Sequence, residues 1–153
     1  MSISIVKKGI EDINLIKPLW EQLNMIHFEK SVSFKKRFEA YKFEKRMEGI
    51  IKKSHKGLIN LDILFDNEKY RYVGYCLSSI EESSGEIESI FIEKEYRKFG
   101  QGGNLMESAL SWFENNKITD IKINVVYNNN DALHFYERYG FKIGNYILSR
   151  PKA

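Results

Sequence analysis

The chain is poor in the residues that staple folds together: its 153 residues include one cysteine, three histidines and two prolines. A lone Cys76 cannot close an internal disulfide, and His27, His55 and His134 stand at no ligand spacing with it, so no disulfide framework and no structural metal are expected. Long apolar runs are missing too. The longest, such as residues 73–77, fall far short of the ~20 needed to span a bilayer, and the N-terminus lacks a basic region followed by an apolar core. A soluble, cytoplasmic protein with no membrane partner is expected. Nor does one sign of charge dominate: the net charge is +3 with 29% charged residues, which does not demand a nucleic-acid partner. The most basic stretch, residues 35–46, sits among Phe34, Phe38, Tyr41, Met47 and Ile50 or Ile51 near helical spacing, and reads as the solvated side of a helix.

What is present suffices for one domain over residues 1–153, since 42% of the residues are hydrophobic. Residues 2–7 alternate, with Ile3 and Ile5 on one face, and read as a strand. Asp12 can cap the helix that follows, in which Ile16, Leu19, Trp20, Leu23 and Ile26 or His27 form one stripe and Pro18 falls in the first turn or at a kink. A second helix is expected over residues 34–53, ending near Gly57. Residues 58–65 and 70–80 are β-rich and joined by a turn-forming tetrapeptide, a hairpin, and residues 86–92 alternate again. A helix over 100–116, a strand over 120–127, a short helix over 132–139 closed by Gly140, and at least one strand within 141–150 complete the order. The pattern β-α-α-β-β-β-α-β-α-β belongs to the α/β (α+β) class, a mixed sheet with helices on both faces.

Chemistry concentrates after the third β-run. Arg97, Lys98, Phe99, Gly100, Gln101, Gly102, Gly103 and Asn104 follow a strand and open a helix, where unpaired N–H groups and about half a positive charge can receive a phosphate and glycines let the backbone approach it. Two common nucleotide loops do not fit. A P-loop needs Gly-Lys then Ser or Thr, whereas Gly103 is followed by Asn104, and a dinucleotide fingerprint wants glycine where Leu105 stands.

Arg97, Gly100 and Gly102 in Arg-x-x-Gly-x-Gly, followed about 30 residues later by Asn129, Ala132, Tyr136, Gly140 and Phe141, resemble the two motifs of the GNAT superfamily of N-acetyltransferases. The likeness covers about residues 86–141. Lys98 stands where the family often has Gly, and Lys94 where it often has Pro. The resemblance implies a mostly antiparallel central sheet, acetyl-CoA as cosubstrate without a metal, and an amine acceptor, and it leaves a homodimer open. It implies that Tyr136 approaches the coenzyme sulfur as general acid, that Asn129 orients the pantetheine or the loop, and that a strand-end break near Phe91 and Ile92 frees the backbone of Ile90, Phe91 and Ile92 for the pantetheine and the thioester carbonyl.

Alternation places Glu86 and Glu88 on one face of their strand together with Ile90 and Ile92, and the resemblance implies that one of them serves as general base, Glu88 ahead of Glu86 because it stands where polyamine-type members carry theirs. The acids Glu81, Glu82, Glu86 and Glu88 favour a cationic acceptor such as a polyamine, an aminoglycoside or a lysine-bearing peptide. His134, two residues from Tyr136, points elsewhere, and Cys76 reads as a core residue. The rival reading is a non-catalytic acetyl-CoA-binding sensor of the same fold.

Overall fold

The computed structural model describes residues 1–152. Five strands, β1 (Ile3–Lys8), β2 (Leu58–Asp66), β3 (Arg71–Glu81), β4 (Ser84–Ile92) and β5 (Asp120–Ile123), form one sheet in the order β1-β2-β3-β4-β5. Neighbours are antiparallel except β4 and β5, which run parallel because helix α4 (Gln101–Asn115) crosses between them. A 3-10 segment (Ile10–Ile16) and helices α1 (Lys17–Lys30), α2 (Lys35–Ala40) and α3 (Phe43–Lys56) link β1 to β2, and α5 (Asn130–Glu137) follows β5. The mixed, mostly antiparallel sheet with helices on both faces is the architecture the sequence implied.

Each face of the sheet carries its own core. Cys76, Ile87 and Ile92 pack with Leu105, Met106 and Phe113 of α4 on one side. Leu61, Ile63, Tyr75, Leu77 and Phe91 pack with Trp20, Phe43, Met47 and Ile50 of α1 and α3 on the other. Fully buried side chains of this size stabilise by roughly 1.5–3 kcal/mol each, which is why helices three to four turns long hold here without strong caps.

Four local expectations need correction. Asp12 caps nothing: the 3-10 segment starts after Gly9 with no side-chain cap, and α1 opens at Lys17 with Pro18 in its first turn. The expected helix over 34–53 is two helices, because Tyr41 and Lys42 are extended. That break lets both Tyr41 and Phe43 meet the Trp20 ring edge-on, with centroids 5.5 and 5.6 Å away. β5 stops at Ile123 rather than Tyr127, because β4 and β5 part there. Residues 141–150 form no strand. They leave Gly140, which has a left-handed φ of +90°, without a neighbour to pair with.

The parting of β4 from β5 coincides with an irregularity on β4's other side. Leu77 pairs with Ser89 and Ser78 with Ile87, so Glu88 is an extra residue that β3 does not match, a β-bulge. The bulge reverses the pleat: Glu86 and Glu88 both face α3, while Ile90 and Ile92 face α4 and α5. The expectation that all four share a face is corrected by this one inserted residue, while β4 ends at Ile92, where a strand end was expected.

Candidate functional site

Where β4 and β5 separate, a cavity opens between the sheet, α1 and α5. Glu88, Ser89 and Ile90 line it from β4, Ile123 and residues 124–126 from β5 and its continuation, Asn129, Ala132 and Tyr136 from the α5 side, and Leu23 and His27 from α1. Since β5 pairs with β4 only through Ile87, the β4 edge beyond that point has no strand beside it, although two of its carbonyls already accept from side chains, that of Glu88 from Arg46 at 3.0 Å and that of Ile92 from Arg97. Expected site residues Ile90, Asn129, Tyr136 and Glu88 therefore come together.

Tyr136 is 7% exposed and packs edge-on against Phe135 and Phe141. Burial holds its phenol above the ordinary range, with Cys76 and Tyr75 adding to the shift, so it keeps its proton at neutral pH. Among the described residues no buried side-chain oxygen is left without a partner, and no protein group bonds the Tyr136 hydroxyl, so that hydroxyl reaches the opening. Across the cavity, burial pushes the His27 imidazole down to about 4, with Lys30 contributing, so it is neutral. The sequence offered His27 only as a stripe position. Its spacing of four from Leu23, which lines the same cavity, was the available signal.

Glu88 is held from three directions. Its side chain is 2% exposed, one oxygen accepts from Arg46 at 3.0 Å, and the other accepts from Ser79 at 2.6 Å and from Lys53. Burial opposes ionisation, but the Lys53, Ser79 and Arg46 bonds outweigh it and set its pKa below the usual carboxylate range. Glu86 accepts from Lys53 at 3.1 Å with Lys122 at 3.9 Å, and does not line the cavity. Glu81 at the end of β3 and Glu82 in the β3–β4 turn lie exposed. The four acids thus do not form one cluster, and the two inner ones are compensated by cations.

The loop fits a phosphate-bearing ligand on its own geometry. Gly100 enters α4 at φ +77°, with no atom within 4 Å of where a Cβ would stand. The first helical bond is Asn104 N–H to Gly100 C=O at 3.1 Å, leaving the amides of Gln101, Gly102 and Gly103 without acceptors in the helix. Gly102 and Gly103 also let α4 approach α5, since added Cβ atoms would lie 3.3 Å from the Phe135 ring and 2.6 Å from the Tyr139 hydroxyl. Arg97 donates from Nε to the Ile92 carbonyl at 2.7 Å and lies over the Phe91 ring, fastening the loop to the end of β4. Phe91 itself is buried on the far side of the sheet, so only its backbone can serve a ligand, and Phe99 is 58% exposed.

Asn129 precedes α5 without capping it. Its side-chain oxygen accepts from Lys30 at 3.4 Å, while Asn128 donates to the Lys30 carbonyl at 3.3 Å, so the end of α1 is tied to the start of α5 across the cavity mouth. His134 is exposed, as expected. Cys76 is fully buried, its thiol pushed up to about 12 by burial, which leaves it inert.

A splayed parallel strand pair with a bulge at the splay borders the cavity, and a helix-opening glycine loop follows the end of β4. Residues 19–141 match the model of the acetyltransferase (GNAT) family, and the chain belongs to that family. It is 36% identical over 58 residues to streptothricin acetyltransferase A of Bacillus subtilis (strain 168), a stretch covering 38% of this chain and 34% of that protein. Its fold is similar to that of PaiA N-acetyltransferase from Thermoplasma acidophilum, solved with coenzyme A, at a TM-score of 0.76, 22% identity and 96% and 94% of the two chains. It is also similar to AAC(6')-Iy, solved with a bisubstrate analogue, at a TM-score of 0.70, 12% identity and 100% and 99% coverage. No helix among the described residues is long and apolar enough to cross a membrane.

Proposed function

We propose that this chain transfers acetyl from acetyl-CoA to a primary amine of a small molecule or peptide, by direct attack in a ternary complex. The observation that carries the reading is the opening of β4 from β5 at Glu88, with the protonated Tyr136 hydroxyl reaching the same cavity. Residues 97–104 hold the pyrophosphate through the amides of Gln101, Gly102 and Gly103, and the edge of residues 89–92, apart from the Ile92 carbonyl that Arg97 holds, binds the pantetheine amides. Acetyl-CoA supplies an activated thioester and a thiolate leaving group of pKa near ~8.5.

The protein's own groups manage two protons. An amine of pKa ~10.4 costs about 4.6 kcal/mol to deprotonate at pH 7, so the site must draw on its N–H. Glu88 lines the cavity where Glu86 does not, and is the carboxylate placed to receive it. Ionised and below the usual range, it relays the proton through water to solvent rather than storing it. Tyr136 donates to the departing sulfur. An acceptor with an aminoglycoside-like or polyamine-like amine suits a cavity that holds a buried carboxylate. The three donors on Glu88 also favour a second reading, a coenzyme-binding sensor without turnover.

Coenzyme A release from acetyl-CoA, followed with a thiol-reactive dye across polyamines, aminoglycosides, amino acids and short peptides, separates the two. Acceptor-dependent release supports the transferase. Binding of acetyl-CoA with silence across the panel supports the sensor. In the transferase, Tyr136→Phe lowers kcat about 10²-fold with coenzyme affinity nearly unchanged, and a normal kcat removes the hydroxyl from the mechanism.

A further inference from the structure

Six polar side chains line the cavity between β4 and β5, and four of them are already engaged within the protein. Glu88 accepts from Arg46, Ser79 and Lys53, and the Ser89 hydroxyl lies 2.6 Å from that of Tyr75. Asn124 donates to Glu86 at 3.5 Å, and Asn129 accepts from Lys30 at 3.4 Å. Among the described residues no protein group bonds the Tyr136 hydroxyl or either ring nitrogen of His27. Tyr136 has its place at the coenzyme sulfur in the proposed transfer, which leaves His27 uncommitted. We infer that His27 is an acceptor-binding residue, its imidazole receiving an N–H of the amine as that amine approaches the thioester. The inference rests on the proposed transfer to an amine.

The fold holds the ring at the cavity without using its nitrogens. Leu23 and His27, four residues apart, present one face of α1 to the opening. Phe38 of α2 packs against the imidazole with centroids 5.6 Å apart, and the Phe38 carbonyl accepts from Asn24 at 2.8 Å, which fastens α2 to α1 a turn before His27. A partly buried ring nitrogen ordinarily bonds a protein group. Since no fully buried side-chain nitrogen or oxygen lacks a partner, both nitrogens of His27 reach open space, and the space they border is the cavity. Burial pushes the imidazole down to about 4, with Lys30 contributing, so at neutral pH one nitrogen carries a proton and the other a lone pair. The chemistry calls for that lone pair. An amine that has given up one proton still carries two N–H bonds while its own lone pair faces the thioester carbon. Glu88 can receive one of them, the aliphatic residues of the lining can receive neither, and His27 can receive the second. A tertiary amine has no N–H to offer, so this pair of groups selects for the primary amine of the proposed reaction.

A packing role and a binding role rank two variants in opposite order. His27→Phe keeps an aromatic ring against Phe38 and removes both nitrogens, whereas His27→Gln gives up the ring and returns an accepting atom. Rates are measured with the acceptor of the amine panel that the parent turns over best, at about pH 8, where the parent ring is neutral. His27→Phe is expected to lower kcat/KM for the acceptor roughly 10–100-fold with KM for acetyl-CoA unchanged, and His27→Gln to lose less than His27→Phe. His27→Leu makes the same comparison if thermal melts show that the larger ring is not accommodated. An apolar variant that keeps as much kcat/KM as His27→Gln, or a KM for acetyl-CoA that rises in step with the loss, overturns the inference and leaves the transferase standing. A parent that releases no coenzyme A with any acceptor overturns both, since there is then no amine for His27 to receive.

Discussion

Glu88 owes its position to being the one residue of β4 that β3 does not match, which turns its carboxylate toward α3 and into the reach of Arg46 and Lys53. Among the described residues Glu88 is the only acidic one that lines the cavity, and with Glu88 as the proposed base, Glu88→Gln lowers the rate at pH 7 and moves the rate profile toward higher pH, where the amine loses its proton unaided. Glu86→Gln, at a residue outside the cavity, leaves the profile in place. Rates between pH 6 and 10 at saturating acceptor check both, and an unmoved profile for Glu88→Gln assigns the proton to water. Lys98 carries a different signature. Its φ of +71° lies in the left-handed region, which costs a side chain with a Cβ about 1–2 kcal/mol, and its position is where the family often has glycine. Lys98→Gly relieves that strain and, after glycine's entropy in the unfolded chain, stabilises by up to about 1 kcal/mol. Urea denaturation measures the gain, and a destabilised variant would mean that the Lys98 side chain holds the loop.

The elements were legible where a period repeated: the alternation of β4, the hairpin of β2 and β3 and the amphipathic α4 all form close to where the pattern placed them. Three features were not, and each is a departure from period. The bulge at Glu88 changes the pleat by one residue, the extended Tyr41 and Lys42 interrupt a continuous stripe to reach Trp20, and residues 141–150 have strand residues without a strand to pair with. The junction of α3 with β2 gives a paired test in which glycines of similar appearance in the sequence behave oppositely. A Cβ at Gly57 would lie 2.0 Å from the Ile80 carbonyl oxygen and 3.3 Å from the Glu81 Cα, all backbone, whereas at the exposed Gly49 within α3 it meets nothing within 4 Å. Gly57→Ala therefore forces β3 and β2 apart and costs about 2–4 kcal/mol. Gly49→Ala gains about 0.5–1 kcal/mol of helix propensity. Thermal melts resolve the two, as shifts of roughly 2–4 °C per kcal/mol in opposite directions.

At the scale of the whole molecule, the site gathers residues from α1, β4, β5 and α5, and the share of it readable in advance followed sequence distance. The loop and Tyr136 stood in two local motifs, whereas His27 reaches the cavity only because α1 packs over the splay, some hundred residues from Tyr136 in the chain. That placement leaves a mark on stability. In the unfolded chain His27 titrates at 6.5, but burial lowers it to about 4 in the folded protein, so between these values the unfolded state binds a proton that the folded state refuses. Stability rises with pH wherever the unfolded state binds more protons, so this contribution is complete above pH 6.5 and is lost as pH falls toward 4. Glu88 and Asp66, whose pKa values are lowered from 4.5 and 3.8 by hydrogen bonds, lose theirs only below those values, which leaves the window from pH 6.5 to 5 to His27. The loss by pH 5 is on the order of 1–2 kcal/mol, allowing for partial exposure of the ring. Urea denaturation of the parent at pH 7 and pH 5 shows that drop, and His27→Gln abolishes it. If the variant keeps the full slope, the imidazole is not shielded in the folded protein, and α1 does not close over the cavity in solution as it does in this structure.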